Sequence, residues 1–156
     1  MKIVLCSDNH THSSVIKRIL SENPMADYYW HLGDSECYDV NDLRPFISIM
    51  GNNDYDYSLP RFRIINIGKY SFLLIHGHGY TFGGYSSLVS IARQYNCNVV
   101  LFGHTHLKTD IEVEGIRLIN PGSCFHNRDG QKPSYCLLEI DADENLDVRF
   151  KEICEY

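Results

Sequence analysis

Five times along this chain a short run of branched and aromatic residues breaks off into a turn and then into side chains able to bind a metal ion. The runs are Lys2-Ile3-Val4-Leu5-Cys6 before Asp8 and His10, Tyr28-Tyr29-Trp30-His31-Leu32 before Gly33-Asp34, Phe46-Ile47-Ser48-Ile49-Met50 before Gly51-Asn52-Asn53-Asp54, Phe72-Leu73-Leu74-Ile75 before His76-Gly77-His78, and Val99-Val100-Leu101-Phe102 before Gly103-His104-Thr105-His106. Short apolar runs bounded by turn residues predict buried strands. Helical spacing fills the intervals. Val15, Ile16, Ile19 and Leu20 share one face after Ser13-Ser14 and stop before Pro24, and Tyr85, Leu88, Val89, Ala92 and Tyr95 form a second stripe. Strands alternating with helices predict a layered α/β architecture.

Paired strands follow, at 110–113 and 116–120 around Glu114-Gly115, then at 135–140 and 146–150 around an acidic turn. A further pair, 61–67 and 70–75, turns at Gly68-Lys69. Strands of both directions are therefore expected, in two mixed sheets packed between helical layers. No repeat, low-complexity stretch or linker divides the chain, and its 156 residues suit one domain over 1–156 with a single substantial core.

Charge bears on partners. With 14 Lys+Arg against 20 Asp+Glu the net charge is -6, the wrong sign for a protein whose main task is to grip a nucleic-acid polymer or an anionic membrane. The apolar run at the start ends at Asp8, too soon for a signal-peptide core, and no stretch approaches a membrane span, so a cytoplasmic location is expected. The six cysteines are widely spaced with no CxxC pair, which predicts reduced, mostly buried thiols and no zinc-finger site.

In open α/β sheets, ligands sit beyond the carboxyl ends of the strands, and the polar clusters fall there. Asp8, His10, Asp34, Asn52, His76, His104 and His106 offer two carboxylates, one amide oxygen and four imidazoles. Such oxygen and nitrogen donors suit Mn, Fe, Zn or Ni, and seven are too many for one catalytic ion with an open position. Two ions sharing a bridging carboxylate fit better. A pair about 3.5 to 4 Å apart can clamp a phosphoryl group and bring a bridging water's pKa toward about 7, giving hydroxide. The site would carry about one net positive charge even in an acidic protein and so draw an anionic substrate. Singly, each aspartate reads as a turn or cap residue. His12, His31, His78 and His126 read as surface or hydrogen-bonded histidines. Two imidazoles one residue apart at the end of an apolar strand, His104 and His106, read as metal ligands.

Asp8-Asn9-His10, Gly33-Asp34, Gly51-Asn52-Asn53-Asp54, His76-Gly77-His78 and Gly103-His104-Thr105-His106, in this order, resemble the motifs of the calcineurin-like metallophosphoesterase superfamily over nearly the whole chain. Length and the later Asn120-Pro121-Gly122-Ser123 turn resemble its small single-domain bacterial and archaeal phosphodiesterase branch. The resemblance implies a four-layer αββα sandwich with a dinuclear site at the strand ends. It also implies that Asp8, His10, Asp34 and His106 hold one ion and Asp34, Asn52, His76 and His104 the other, Asp34 bridging. Asp34, Asn52 and His76 would then be the residues closest to the chemistry, with Asn53, Ser123 and Arg128 at the substrate phosphate and His78 behind the ligands at most.

Three positions depart from the family pattern. Thr11-His12 stands where glycine often follows the first motif, and Lys108 where proline is common. Asn53 replaces a histidine able to protonate a leaving group, and an amide cannot do so near neutral pH. The expected function is a phosphoesterase using two divalent ions, Mn2+ first among them, and hydrolysing a small phosphate ester by attack of a bridging hydroxide. Diesters are favoured, since loss of the histidine hurts poor leaving groups most. The alternatives are a phosphomonoesterase and a non-catalytic protein-binding scaffold of the same fold, which would lack the full ligand set. Association of identical copies is left open. Tyr55 and Tyr57 are expected to pack their loop, an aromatic wall for a nucleotide-like substrate being the lesser reading.

Overall fold

In β1 (Lys2–Cys6) every residue after Lys2 is buried, because the strand is covered on both faces. Its alternation sorts the covering layers. Ile3 and Leu5 join Trp30, Leu32, Phe72, Leu74, Val99 and Leu101 in the central core. Val4 and Cys6 pack with Ile16 and Ile19 of α1 (Ser13–Glu22). The same division occurs in β5 (Tyr70–Ile75): Phe72 and Leu74 face the centre, while Leu73 and Ile75 pack with Leu88, Val89 and Ala92 of α2 (Ser86–Gln94). The layers are therefore α1, sheet, sheet, α2, the αββα sandwich. This is a computed structural model, and it describes residues 1–154.

The first sheet has the order β10-β9-β1-β2-β3, with β2 (Tyr28–His31), β3 (Ile47–Ser48), β9 (Ser134–Ile140) and β10 (Leu146–Glu152). The second has the order β4-β5-β6-β8-β7, with β4 (Phe62–Ile67), β6 (Val99–Leu101), β7 (Lys108–Val113) and β8 (Ile116–Pro121). In the first sheet β1, β2 and β3 run parallel out to the edge at β3, and the β9–β10 hairpin adds antiparallel on the β1 side; in the second, β5, β6 and β8 form a parallel centre with β4 and β7 antiparallel at its two edges. The three hairpins turn where the sequence predicts.

The strand expected over 46–50 shortens to Ile47–Ser48. The Phe46 N–H is drawn to Leu43 O at 2.7 Å by a short 3₁₀ turn (Val40–Leu43), and the Met50 N–H to Pro60 O at 2.8 Å, so neither end stays in the ladder. Lys108 opens β7 opposite Pro121. Among the described residues no helix is long and apolar enough to cross a membrane. Cys6, Cys97, Cys124 and Cys136 are buried, and Cys154 is exposed.

Candidate metal centre

The loops leaving the parallel strands are tied together by backbone hydrogen bonds. The N–H groups of Asp8, His10 and Thr11 donate to the carbonyls of Gly33, Asp34 and Ser35 at 3.0, 3.1 and 2.9 Å, which zips the β1 loop to the β2 loop. In the other sheet the Gly103 N–H donates to His76 O at 2.9 Å. The His104 N–H joins the two halves by donating to Asp8 Oδ2 at 3.1 Å. Two glycines permit this approach: a Cβ on Gly51 would lie 2.2 Å from Asp34 Oδ1, and one on Gly103 would lie 2.1 Å from Ser7 Oγ.

Five of the seven candidate ligands have left-handed backbone: Asp8 (φ 58°), His10 (41°), Asp34 (54°), His104 (64°) and His106 (57°). Such conformations cost of order 1–3 kcal/mol each in non-glycine residues and collect at functional sites. Thr11, where the family often has glycine, takes φ 68°.

Three imidazoles are aimed in the same way. His76 Nδ1 lies 2.7 Å from Leu32 O, His106 Nδ1 2.9 Å from His126 O, and His10 Nδ1 2.5 Å from Glu36 Oε1. Oxygen acceptors of this kind require each Nδ1 to carry a hydrogen, which leaves the Nε2 lone pairs free. Those nitrogens converge on carboxylates. His106 Nε2 and His10 Nε2 lie 3.2 and 3.8 Å from Asp8 Oδ1, and His76 Nε2 lies 3.9 Å from that atom and 3.3 Å from Asp34 Oδ2. His76 Nε2 is buried with no hydrogen-bond partner among the described residues, a costly condition for a polar atom outside a metal site. Two nitrogens that both need a donor, His10 Nε2 and His106 Nε2, face each other at 3.2 Å. A cation between these groups satisfies all of them, so the donors fit the divalent ions expected. They fall into two groups, Asp8 with His10 and His106, and Asp8 with Asp34 and His76. Asp8 is common to both, where the resemblance has Asp34.

The electrostatics favour positive charge at this point. Burial pushes the His76 pKa down, but Asp34 and Asp8 outweigh it and the value is raised. Burial likewise pushes Asp34 up, yet His76 and the two hydrogen bonds from Asn53 hold its carboxyl well below the usual range. Asp8 is lowered too, against its burial, by His106, His76 and Ser7.

The remaining predicted residues divide. The His104 ring stands edge-on to His76 with centroids 5.3 Å apart, and burial, then His76 and His78, lower its pKa. Asn52 is exposed on the turn after Gly51, and among the described residues no side-chain hydrogen bond joins it to the other six. Asn53 braces Asp34, its backbone N–H donating to Oδ1 at 2.8 Å and its Nδ2 to Oδ2 at 2.9 Å. Ser123 is fully buried, and its hydroxyl donates to Asp8 O at 2.8 Å while accepting from the Phe125 and His126 N–H groups, so it supports the Asp8 loop. Arg128 is exposed and reaches the centre through its backbone, donating to His106 O at 3.1 Å. His31 is buried and hydrogen-bonded, His12 stacks on Phe125 at 3.8 Å, and His78 and His126 are exposed.

Sequence reasoning assigns no role to Glu36 or Asp54. Glu36 orients His10. Asp54 accepts from the N–H groups of Asp34, Glu36 and Gly51 at 2.8, 2.8 and 2.7 Å and from Ser35 Oγ at 3.1 Å, clamping two ligand loops together. The available signal for Asp54 is its place at the end of the Gly51-Asn52-Asn53 turn. Asn120 does similar work for His104 and His106, its Nδ2 donating to Gly103 O and Thr105 Oγ1.

Residues 1–143 match the sequence profile of the "Calcineurin-like phosphoesterase superfamily domain". The "Probable metallophosphoesterase MG207" of Mycoplasma genitalium is 31% identical over 155 residues, covering 95% of this chain and 93% of the relative. A crystal structure of a conserved "predicted phosphoesterase" from Streptococcus pneumoniae TIGR4 superposes with a TM-score of 0.86 at 25% identity, over 97% of this chain and 88% of that one. Vacuolar Protein Sorting 29 from Cryptosporidium parvum superposes with a TM-score of 0.74 at 18% identity, over 99% and 98% of the two chains, a likeness of fold alone.

Proposed function

The chain belongs to the calcineurin-like phosphoesterase superfamily, and from that premise we propose that it is a two-metal phosphodiesterase acting on a small phosphate ester. The observation that carries this reading is the shared aim of His10, His76 and His106, each with Nδ1 tied to an oxygen and Nε2 turned toward Asp8 or Asp34. What favours this reading over a non-catalytic scaffold is the cost of the arrangement, strained backbone at the ligand positions and, among the described residues, an unpartnered buried nitrogen.

Asp8, His10, Asp34, His76 and His106, together with His104 and Asn52, would hold the divalent ions, which would supply an activated water and neutralise charge building on the phosphoryl oxygens. Manganese is the ion we expect. The protein's own part is to fix this geometry in advance. Asp54 locks the Asp34 loop against Gly51, Ser123 holds the Asp8 carbonyl, and Asn120 holds the His104 turn. Asn53 turns its backbone N–H and its Nδ2 to Asp34, and an amide is too weak an acid to protonate a leaving group near neutral pH. The ester oxygen must leave as a stable anion or take its proton from water, which favours activated diesters.

The test is hydrolysis of bis-p-nitrophenyl phosphate and p-nitrophenyl phosphate with Mn2+ added, alongside metal analysis. We expect about two ions per chain, faster diester turnover, and loss of activity in Asp34→Asn. A metal-loaded protein that hydrolyses neither ester would overturn the reading, and faster monoester turnover would reverse the substrate preference.

A further inference from the structure

Tyr38 is 95% exposed and Tyr55 61% exposed, and their rings lie 18° from parallel with centroids 6.4 Å apart. They come from different loops, Tyr38 four residues beyond Asp34 and Tyr55 three beyond Asn52. The Asp54 carboxylate binds both loops, accepting from the Asp34 and Glu36 N–H groups on one side and from the Gly51 N–H on the other. The ring pair is thereby tied to the candidate ligands, not carried on a free loop. Tyr57 is 82% exposed, so Tyr55 and Tyr57 do not pack their loop as the sequence suggests.

One exposed tyrosine needs no explanation. Two from separate ligand-bearing loops, brought near-parallel with their faces in water, do. Ring faces of this kind take up planar bases, and stacking tolerates any base because each has a π-face. Residues 33–43 and 51–60, which carry these rings, hold no Lys or Arg. A polymer would need cations along its backbone, so the surroundings suit one base on a small ester.

We propose that Tyr38 and Tyr55 form a stacking subsite for the base of a nucleotide-like phosphodiester whose phosphoryl group sits at the Asp8, Asp34 and His76 centre. This rests on reading that centre as a phosphodiesterase and names its substrate class. Thymidine 5′-(p-nitrophenyl phosphate) and methyl p-nitrophenyl phosphate test it, since they share a leaving group and differ in the base-bearing arm. In the manganese-loaded protein the thymidine ester should have a kcat/KM at least about tenfold higher, toward the lower end of what base stacking on an aromatic ring supplies. Tyr38→Ala/Tyr55→Ala should bring that ratio close to one, and Tyr38→Phe/Tyr55→Phe should keep it. A ratio unchanged by the double alanine variant, at wild-type metal content, would overturn the subsite and leave the patch to a protein partner. If neither ester turned over, the phosphodiesterase reading would fail by itself. The subsite would then be judged by calorimetry with the same two esters: tighter binding of the thymidine ester, lost in the alanine variant, supports it, and equal binding overturns it.

Discussion

Glu36 Oε1 lies 2.5 Å from His10 Nδ1, on the side of the ring away from Asp8. The carboxylate fixes which His10 nitrogen carries hydrogen and leaves Nε2 as a donor to a metal. Glu36 itself has φ 52°, and its N–H donates to Asp54 Oδ1 at 2.8 Å, so its position is built into the loop. Partners of this kind are worth about 10- to 100-fold in metal affinity. Glu36→Ala should weaken manganese binding by that factor in a calorimetric titration, with Glu36→Gln intermediate because its amide oxygen still accepts. Equal affinity in all three proteins would show the contact to be incidental.

Asp8 belongs to both donor groups, whereas Asp34 touches only His76 among the candidate imidazoles. On this geometry Asp8→Asn should strip both ions, and Asp34→Asn should keep about one per chain, as read by mass spectrometry of the dialysed protein. Asparagine tolerates left-handed backbone, so neither variant disturbs φ at its site. The opposite result, one ion in Asp8→Asn and none in Asp34→Asn, would make Asp34 the bridging ligand, as the family resemblance has it.

What could be read from the sequence was whatever repeats locally. The apolar runs, the helical stripes and the turns at Gly68-Lys69 and Glu114-Gly115 all depend on near neighbours, and a strand forms at each run, the one at 46–50 cut to Ile47–Ser48 by contacts from outside it. The polar clusters were visible because each follows a strand, and parallel topology delivers strand ends to one place. The supporting contacts were not visible. Asp54 lies 20 residues from Asp34, and Ser123 lies 115 from Asp8, so no window of sequence shows that they meet. From sequence alone Ser123 reads as a phosphate ligand for that reason, while its hydroxyl donates to the Asp8 carbonyl.

Thr11 carries a measurable cost. A β-branched residue at φ 68° is strained, and glycine adopts this backbone freely. Left-handed geometry costs roughly 1–2 kcal/mol, and glycine's greater freedom when unfolded returns part of that. Thr11→Gly should stabilise the protein by up to about 1 kcal/mol in denaturant unfolding, since the Thr11 N–H bond to Ser35 O survives the change. Destabilisation would mean that the threonine side chain has a packing role outweighing its strain.

His31 sets a pH limit on the same framework. The Gly33 N–H donates to its Nδ1 at 3.1 Å, so Nε2 carries the hydrogen and donates to Asn9 Oδ1 at 2.9 Å. The buried ring has no room in this scheme for a second proton. Burial lowers its pKa to about 4, with His76 acting in the same direction and Asp54, Asp8 and Asp34 opposing. The unfolded chain takes up a proton near pH 6.5, so between about 6.5 and 4 the unfolded state binds more protons and stability falls as pH falls. The contribution is fully present above the unfolded pKa and amounts to about 2 kcal/mol lost between pH 7 and pH 5. Other groups titrate in this range, the raised His76 with opposite sign, so the informative quantity is the difference between wild type and His31→Gln. Glutamine can accept from Gly33 and donate to Asn9 without titrating. Urea unfolding at pH 7 and pH 5 should show the wild type losing about 2 kcal/mol more than the variant; parallel losses would mean that His31 accepts its proton inside the fold.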